Sequence, residues 1–596
     1  MWRCHRAVQT AAQRWLWRNT SPSSAPSARS YQHISVSLSL YSSSACIGTA
    51  AGQLTANRPL LGSGRHPSLT RYGHVGTNNY LSSPLLISSH GFSTRRPRVP
   101  RMKDLHSVEE VIVTAYEHLD VMSRRDVGAV WARIQQLITK QQPRQQRKSS
   151  AAGELSFDDM EHMLYTIFDD TTDGVEYCGA RELTETTLGM AKIIKILQEQ
   201  GVKRREDSYR AILRRLLLSE GMAPNYKLFK YLATASMGIL NEFDARSLSN
   251  LALAYAKIEH VPEFDDGSDL FDHIAIQAVH MKGDFIEQGI SNTVWSYATV
   301  KKPHAVLFEA MGDQVVAFKQ LKEFNPQALS NTVWAYATAV WAYATAQVSH
   351  PKLFQKVAKA AIQGKEEFGS QGAANLLWAY ASMGIVETQL FSSFESTAAK
   401  LVDSCNNQDL ANIAWAYAVA NVNAPTLFNK RFINKCGEKN EGFEVEALGQ
   451  LYQWHLWQTK EKCNPGLPEE LSDRCHEAFL STVPRSSRLQ EDVVAQLSSI
   501  GLDPKEEVLM DSGYRIDAIV EVNGEAIGIE VDGPSHFIGK GKCPIGSTIL
   551  KRRQVPAIDG IELVSVPYWD WIKLGKTKSK KQDYLLRLLR LNSGNE

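Results

Sequence analysis

Three carboxylates and one histidine stand close together near the C-terminal end of the sequence. Glu530, Asp532 and His536 fall within IGIEVDGPSHF, and Asp517 lies upstream in YRIDAIVEV. Residues two apart on a strand point to the same side of a sheet, so Glu530 and Asp532 are expected to share a face, with Asp517 across a hairpin. Converging carboxylate oxygens suit Mg²⁺ or Mn²⁺. The pattern predicts a candidate metal site of Asp517, Glu530 and Asp532 that activates water for phosphodiester cleavage, with His536 as acid, base or ligand.

The same acids also have a structural interpretation. Asp532-Gly533-Pro534 is typical of a turn, and a buried carboxylate can accept hydrogen bonds from backbone amides. Non-catalytic contact with a nucleic acid is therefore the first interpretation, and metal-dependent ribonuclease activity the alternative. Basic and aromatic side chains that could hold phosphates or stack on bases follow in the sequence, although aromatic residues at a strand end also serve as core: Lys551, Arg552, Arg553, Trp569 and Trp571.

The elements that must position these residues belong to a small α/β domain of about 100 residues after position 485. Asn523-Gly524 lies between two apolar runs, which predicts a hairpin of strands over 514–522 and 525–532. ILKRRQVPAI is predicted to be a helix, IELVSVPY a further strand, and KQDYLLRLLRL a closing amphipathic helix.

A repeat occupies the middle of the chain. LSNLALAYAKI, ISNTVWSYATV, LSNTVWAYATA, AANLLWAYASM and LANIAWAYAVA share an asparagine at positions that are 42, 39, 44 and 37 residues apart. The gap of 44 contains WAYATAVWAYATAQ, in which a heptad occurs twice; it is either a recent duplication or an artefact of gene prediction. Leu329, Val333, Tyr336 and Val340 form one apolar helical stripe, and Pro303, Pro351 and Pro425 sit where second helices would begin. The period predicts an α-solenoid of helix-turn-helix repeats of about 37–42 residues.

The repeated asparagine and tryptophan lie three residues apart, on one face of the first helix of each repeat. A row of such side chains could contact RNA bases through amide hydrogen bonds and stacking. The alternative is packing, with asparagine bridging helices and tryptophan filling the core between repeats. The candidates are Asn250, Asn292, Trp295, Asn331, Trp334, Asn375, Trp378, Asn412 and Trp415.

Charge is distributed unevenly, although the net charge is only +2. Residues 1–103 hold 13 Lys and Arg and no acid, residues 539–596 hold 12 basic and 5 acidic side chains, and residues 104–538 hold 41 basic and 59 acidic ones. The acid-free, Arg-rich start is typical of an organelle transit peptide; a disordered basic tail is the alternative. The eight cysteines form no CxxC pair, so neither a zinc site nor a disulfide framework is indicated. No apolar run is long enough to predict a membrane span.

The segment from IDAIVEVNGEAIGIEVDGPSHF through GSTILKRRQV to LVSVPYWDWIKL resembles the RAP domain. The upstream repeats are similar to those of octotricopeptide-repeat and FAST-kinase-domain proteins of organelles. The resemblance implies RNA binding, with roles in RNA processing, mRNA stability or rRNA maturation, and a restriction-endonuclease-like fold for the RAP domain. In that fold Asp517 and Glu530 match the two acids, whereas Asp532 stands where a lysine is usual.

The sequence therefore predicts four regions: a transit peptide or basic leader (1–102), a degenerate helical region or cap (103–240), an α-solenoid (241–485) and a RAP domain (487–591). We expect an organelle RNA-binding protein, mitochondrial matrix first and plastid stroma as the alternative, whose solenoid selects RNA and whose RAP domain contacts or cleaves it. Mg²⁺ or Mn²⁺ would be needed only for cleavage. The expected partners are organelle mRNA or rRNA and proteins of ribonucleoprotein granules. The competing hypothesis is a solenoid scaffold that binds proteins.

Overall fold

A computed structural model describes residues 99–140, 155–200, 208–321, 323–342, 350–481, 486–539 and 541–591. The predicted leader lies outside these residues except for its last four positions, and so does most of the second heptad copy, from position 343 onward. Residues 97–596 form one compact unit. None of the helices in the described part of the chain is both long enough and apolar enough to cross a bilayer.

Helices make up the described chain up to residue 480. The first six are α1 (Val108–Glu117), α2 (Arg124–Lys140), α3 (Phe157–Asp173), α4 (Ala180–Gln200), α5 (Tyr209–Leu217) and α6 (Tyr226–Gly238). Six helix pairs follow: α7 (Ala245–Lys257) with α8 (Leu270–His280), α9 (Glu287–Thr299) with α10 (Ala305–Ala317), α11 (Pro326–Ala342) with α12 (Pro351–Gln363), α13 (Ser370–Ser382) with α14 (Thr388–Leu401), α15 (Asn407–Ala420) with α16 (Lys430–Glu438), and α17 (Val445–Leu456) with α18 (Glu469–Leu480). The predicted solenoid is confirmed.

The first helices of the pairs form one continuous layer. Neighbouring helices of this layer pack against each other in the order α7, α9, α11, α13, α15 and α17. Helices α2 and α4 extend the layer toward the N-terminus. Alanines in the repeat are buried, which allows the helices to approach closely. The apolar stripe predicted on α11 is buried throughout, from Leu329 to Val340. Of the three prolines, Pro351 starts a helix.

A tyrosine and a phenylalanine hold each repeat to the preceding one. Tyr380 packs edge-on against Phe354 with ring centroids 5.1 Å apart, and its hydroxyl donates a 2.6 Å hydrogen bond to the Phe354 carbonyl. The same pairing recurs at Tyr255–Phe229, Tyr297–Phe271, Tyr336–Phe308 and Tyr417–Phe391. The repeated tyrosine is therefore a structural residue that satisfies a helix carbonyl inside the core.

The C-terminal domain contains α19 (Arg488–Ser499), β1 (Lys505–Leu509), β2 (Arg515–Val522), β3 (Glu525–Asp532), α20 (Gly546–Asp559), β4 (Glu562–Pro567), α21 (Tyr568–Lys573) and α22 (Lys578–Leu588). The strands lie in the order β1-β2-β3-β4; β3 and β4 are parallel, and the other pairs are antiparallel. Asn523 and Gly524 both have positive φ, 55° and 83°, as a two-residue hairpin turn of type I′ requires. The predicted hairpin, helix, strand and closing helix are confirmed.

The two faces of the sheet differ. One face, including Val520 and Ile529, packs with Val493 of α19 and Leu585 of α22 in a core of its own. Helix α20 connects β3 to β4 on the opposite face, where Asp517 and Glu530 lie. Leu550 and Val555 of α20 belong to the hydrophobic core of the solenoid. The sheet is thus joined to the repeats through α20.

The junction between α20 and the solenoid is tight and polar. Arg553 donates hydrogen bonds to the carbonyls of Ala418 and Val419 at the end of α15, and its guanidinium lies 2.9 Å from a carboxylate oxygen of Glu461. A cation at the C-terminal end of a helix is favoured by the helix dipole. Gly546 begins α20 so close to α13 that a Cβ atom there would lie 2.0 Å from the Ala381 carbonyl oxygen.

Candidate nucleic-acid interface

The three predicted carboxylates come together on the α20 side of the sheet. The register places Asp517 directly opposite Glu530, since Ala518 pairs with Ile529. An oxygen of Asp517 accepts a 2.7 Å hydrogen bond from the Val531 backbone N–H. Asp532 and Glu530 are almost completely buried, with 1% and 3% of their surface exposed. The shared face that strand periodicity predicted is therefore present.

Helix α20 supplies the cations that neutralise these acids. Lys551 Nζ donates to Glu530 Oε2 at 2.6 Å, and an Arg552 nitrogen lies 2.5 Å from Asp532 Oδ2. His536 Nδ1 lies 2.9 Å from Asp532 Oδ1, and the Ser565 hydroxyl donates to Asp532 Oδ2. Every acid of the cluster therefore already has a protein partner.

This arrangement does not fit the predicted Mg²⁺ or Mn²⁺ site. Among the described residues, no group of three or more His, Cys, Asp or Glu side chains is placed to hold a metal ion. The physical reason is that Lys551 and Arg552 bind carboxylate oxygens that a cation would need. Asp517, Glu530 and Asp532 are thus neighbours, as expected, but they form a salt-bridged cluster and not a metal centre.

Burial and charge shift the pKa values of the three acids differently. Burial raises the pKa of Glu530 to about 7, although Lys551 opposes the shift. Burial also raises the pKa of Asp517 above its ordinary value, against the hydrogen bond from Val531. For Asp532 burial is outweighed by the hydrogen bonds from His536 and Ser565 and by the charge of Arg552, so its pKa is lowered. Asp532 therefore stays ionised, whereas Glu530 changes protonation near neutral pH.

Two predicted RNA-binding residues have structural roles instead. Trp571 is 2% exposed, belongs to the core beneath the sheet and donates a 2.8 Å hydrogen bond to Asp492. Arg553 is committed to Glu461 and the end of α15, as described above. RNA contact by these two residues stays a prediction, and their packing roles were missed because a segment pattern does not reveal which side chains a neighbouring element covers.

Trp569 is more accessible than Trp571. It is half-buried, and its ring packs against Phe537 at 4.2 Å and Tyr568 at 5.2 Å between ring centroids. Lys542 Nζ lies 5.8 Å from the centre of the Trp569 ring. An aromatic cluster beside a lysine is suited to base stacking next to a phosphate.

The asparagine and tryptophan candidates follow the layer of first helices, and their burial changes along it. Trp378 is half-buried, and so are the five candidates of the first three of these repeats: Asn250, Asn292, Trp295, Asn331 and Trp334. Asn375 and Asn412 are 8% and 7% exposed, and Trp415 is 7% exposed. Near the C-terminal domain these positions therefore connect helices, as the packing alternative predicted.

Specific hydrogen bonds show this connecting role. Gln408 Nε2 donates to Asn412 Oδ1 at 2.7 Å and to Gln450 Oε1 of the next first helix at 3.1 Å. Trp415 Nε1 donates to Gln453 Oε1 at 2.8 Å. Trp415 therefore joins α15 to α17 directly, whereas Asn412 is connected to α17 through Gln408, and base contact by either residue stays a prediction.

The sequence analysis did not predict a cluster of three lysines, Lys192, Lys195 and Lys257. Lys257 Nζ of α7 lies 5.7 Å from the ring centre of Trp295 on α9. Burial, followed by the positive charges of Lys192 and Lys195 on α4, lowers the pKa of Lys257. Lys192 and Lys195 are thus close enough to Lys257 to repel it, although Glu199 of α4 opposes the effect, and an anion placed beside Lys257 would relieve that repulsion. Lys192 and Lys195, three apart on one helix, were the available signal, but they lie in a region interpreted as a cap.

Residues 529–588 match the family model described as the RAP domain. This match runs from the acid cluster on β3 through α20 and β4 to α22. The chain contains a RAP domain. A protein of Oryza sativa subsp. japonica named "RAP domain-containing protein, chloroplastic" is 36% identical over 104 residues. That alignment covers 17% of this chain and 16% of the rice protein, so the chain matches less than a fifth of that relative's length.

RAP domains are typical of RNA-binding proteins, so the match supports a general nucleic-acid-binding role. In this chain the RAP domain is not an isolated module, because α20 joins it to α13, α15 and α17. The last helix of the layer, α17, therefore lies next to the acid cluster of the RAP domain, since Gln453 and Glu530 line one cavity.

Proposed function

We propose that this protein binds single-stranded RNA in an organelle and acts in post-transcriptional RNA metabolism. The layer of first helices holds the RNA, and the RAP domain contacts it at the C-terminal end of that layer. Processing, stabilisation of a transcript and rRNA maturation are the roles that this arrangement suits, since each requires a protein to remain on one stretch of RNA.

The observation on which this proposal depends is the lysine cluster beside Trp295 on the same layer as the half-buried asparagines. Lys192, Lys195 and Lys257 offer charge for phosphates, and the tryptophan offers a stacking surface. Because residues 104–538 hold more acidic than basic side chains, binding must depend on such a local surface and not on overall charge.

The compartment is part of the proposal. The acid-free leader favours import into an organelle, and the relative from rice has "chloroplastic" in its name. That name favours a plastid over the mitochondrion that the Arg-rich start of the leader indicated. Imaging of the full chain with a C-terminal fluorescent tag would decide between the two compartments.

Cleavage of RNA is not part of the proposal. Metal-dependent hydrolysis needs carboxylates that are free to bind the ion, and here Lys551 and Arg552 are bound to them. We therefore expect the RAP domain to contact RNA without a metal-dependent step.

Crosslinking tests the proposal in its natural setting. Ultraviolet crosslinking of the tagged full chain in isolated organelles, followed by sequencing, should enrich a discrete RNA footprint over an untagged control. Enrichment of proteins but of no RNA would favour the scaffold alternative and contradict the proposal.

A charge-matched pair of variants tests the surface. Changing Lys192, Lys195 and Lys257 together to Gln should weaken binding to single-stranded RNA and reduce the slope of log K against log salt by about 2, since each phosphate contact contributes about 0.7. The control changes three exposed lysines of the second helices to Gln: Lys352, Lys359 and Lys430. Equal salt slopes in the two triple variants would show that RNA does not bind at the lysine cluster.

A further inference from the structure

A cavity of about 240 Å³ lies where the solenoid meets the RAP domain. Its wall combines Gln453 of α17, Tyr514, the strand residue Glu530, His536, and Lys551 and Arg552 of α20. The cavity is smaller than pockets for drug-sized ligands, which measure roughly 300–1,000 Å³. Its size suits one small planar group and not a large cofactor.

Two residues that line the cavity each have one buried polar atom without a hydrogen-bond partner among the described residues. One is the acceptor Glu530 Oε1, and the other is the donor Arg552 Nε. Glu530 is 3% exposed, and its second oxygen is already bound to Lys551. Leaving a buried polar atom unpaired costs about 1–3 kcal/mol, so both atoms call for an explanation by a group that occupies the cavity.

Several other polar groups beside the cavity are paired with one another. Tyr514 donates to Gln554 Oε1 at 2.8 Å and accepts from Gln453 Nε2 at 2.8 Å, and Gln554 Nε2 donates to the Gln453 carbonyl at 2.9 Å. These three hydrogen bonds form a closed network at one side of the cavity.

A nucleobase offers the hydrogen-bond partners that Glu530 Oε1 and Arg552 Nε lack. Each base presents, on one planar edge, an N–H donor next to an oxygen or nitrogen acceptor, and unstacked bases of single-stranded RNA are recognised on such edges. An ionised phosphodiester of the RNA backbone offers acceptors only, so it would satisfy Arg552 Nε but not Glu530 Oε1.

The position of the cavity agrees with this chemistry. Gln453 occupies the tryptophan position of the worn last repeat, LGQLYQWHLW, and binds the Trp415 indole N–H. The cavity therefore begins where the row of asparagine and tryptophan positions on the first helices ends, and RNA lying along that row would bring a base to it.

We infer that this cavity binds a single nucleobase of the RNA, with Glu530 Oε1 accepting from the base and Arg552 Nε donating to it. The inference rests on the proposed RNA-binding function and adds a base-reading site to it.

The test is selection from a pool of random-sequence RNA by the full chain. Glu530→Gln keeps the size of the side chain and one oxygen for Lys551, but it replaces the free acceptor with an amide donor. We expect the preferred base at one position of the selected RNA to change, by roughly 5- to 150-fold in relative affinity, which is the discrimination of one good base contact. Glu525→Gln, on the same strand but exposed, should select the same RNA as the wild type.

Arg552→Lys examines the other half of the contact, because lysine keeps the charge opposite Asp532 but lacks the Nε donor. It should alter preference at the same position of the RNA as Glu530→Gln. Identical pools for the wild type and both variants would overturn the base-reading site and leave RNA binding intact; this is also the result expected if the two atoms bind only solvent. A wild-type protein that enriches no RNA would overturn both the site and the proposed function.

Discussion

Gly546 provides the sharpest test of how the RAP domain is attached to the solenoid. An alanine Cβ at this position would lie 2.0 Å from the Ala381 carbonyl oxygen, 2.8 Å from its carbon and 3.1 Å from a methyl group of Val419. All three distances are shorter than ordinary van der Waals contact, and the first two involve backbone atoms that cannot rotate away. Gly546→Ala should therefore force the start of α20 away from α13.

The magnitude follows from three contributions. Overpacking of a tight site costs about 1–3 kcal/mol, and displacement of α20 threatens hydrogen bonds such as Gln554 Nε2 to the Gln453 carbonyl, each worth about 1 kcal/mol. Replacing glycine with alanine in a helix returns up to about 1 kcal/mol through backbone entropy. We expect a net destabilisation of about 1–3 kcal/mol.

Hydrogen exchange of the full chain is the suitable assay, because a chain of this size need not unfold in one step. Amides of α20 should exchange about 5- to 150-fold faster in Gly546→Ala, the factor that corresponds to this free energy. Gly533→Ala is the matched control: it lies in the same domain, and a Cβ there would meet nothing within 4 Å. Unchanged exchange in α20 of the Gly546 variant would refute the close junction.

Two further predictions concern the repeats and the buried acid. Tyr380→Phe removes the hydrogen bond to the buried Phe354 carbonyl and should lower the free energy of unfolding by about 1–3 kcal/mol. The control is Tyr177→Phe, at a tyrosine that is 79% exposed, which should leave the free energy of unfolding unchanged in the same denaturation experiment. Equal stabilities of the two variants would show that the repeated hydroxyl does not contribute to stability. In the folded protein the pKa of Glu530 is about 7, above its ordinary value of 4.5, so the folded state binds this proton more tightly than the unfolded state does. The resulting stabilisation, up to about 3 kcal/mol, is present below pH 4.5 and is lost as the pH rises through 7. The stability of the wild type minus that of Glu530→Gln should therefore fall between pH 5 and pH 8, and a constant difference would mean that the carboxyl titrates normally despite its burial.

The attachment of the RAP domain also bears on how such a protein could be dissected. Leu550 and Val555 of α20 contribute to the solenoid core, and Arg553 binds the end of α15. A fragment that begins after α18 would expose this apolar and basic surface. Function of the RAP domain is therefore best measured in the full chain, where the wall of the cavity includes Gln453 of the last repeat.

Local sequence patterns were sufficient to predict much of the secondary structure of this protein. The spacing of the asparagines and the apolar stripe of α11 identified a helical repeat, because a helix pattern depends on neighbours three and four residues away. Asn523-Gly524 identified the hairpin, because its backbone conformation is a property of those two residues. From the hairpin, alternation placed Asp517 and Glu530 on one face of the sheet.

The tertiary structure decided what those residues do. Lys551 and Arg552 turned a predicted metal site into a salt-bridged cluster, because a helix packed over the sheet brought their charges to the acids. Trp571 donates a hydrogen bond to Asp492, 79 residues away in the chain, and Arg553 donates one to Glu461, 92 residues away. These contacts hold both side chains against distant elements. Lys192 and Lys195 meet Lys257 only because α4 packs on α7. Burial, partner charges and protonation depend on contacts between distant segments, and no local pattern of the sequence records which segments will meet.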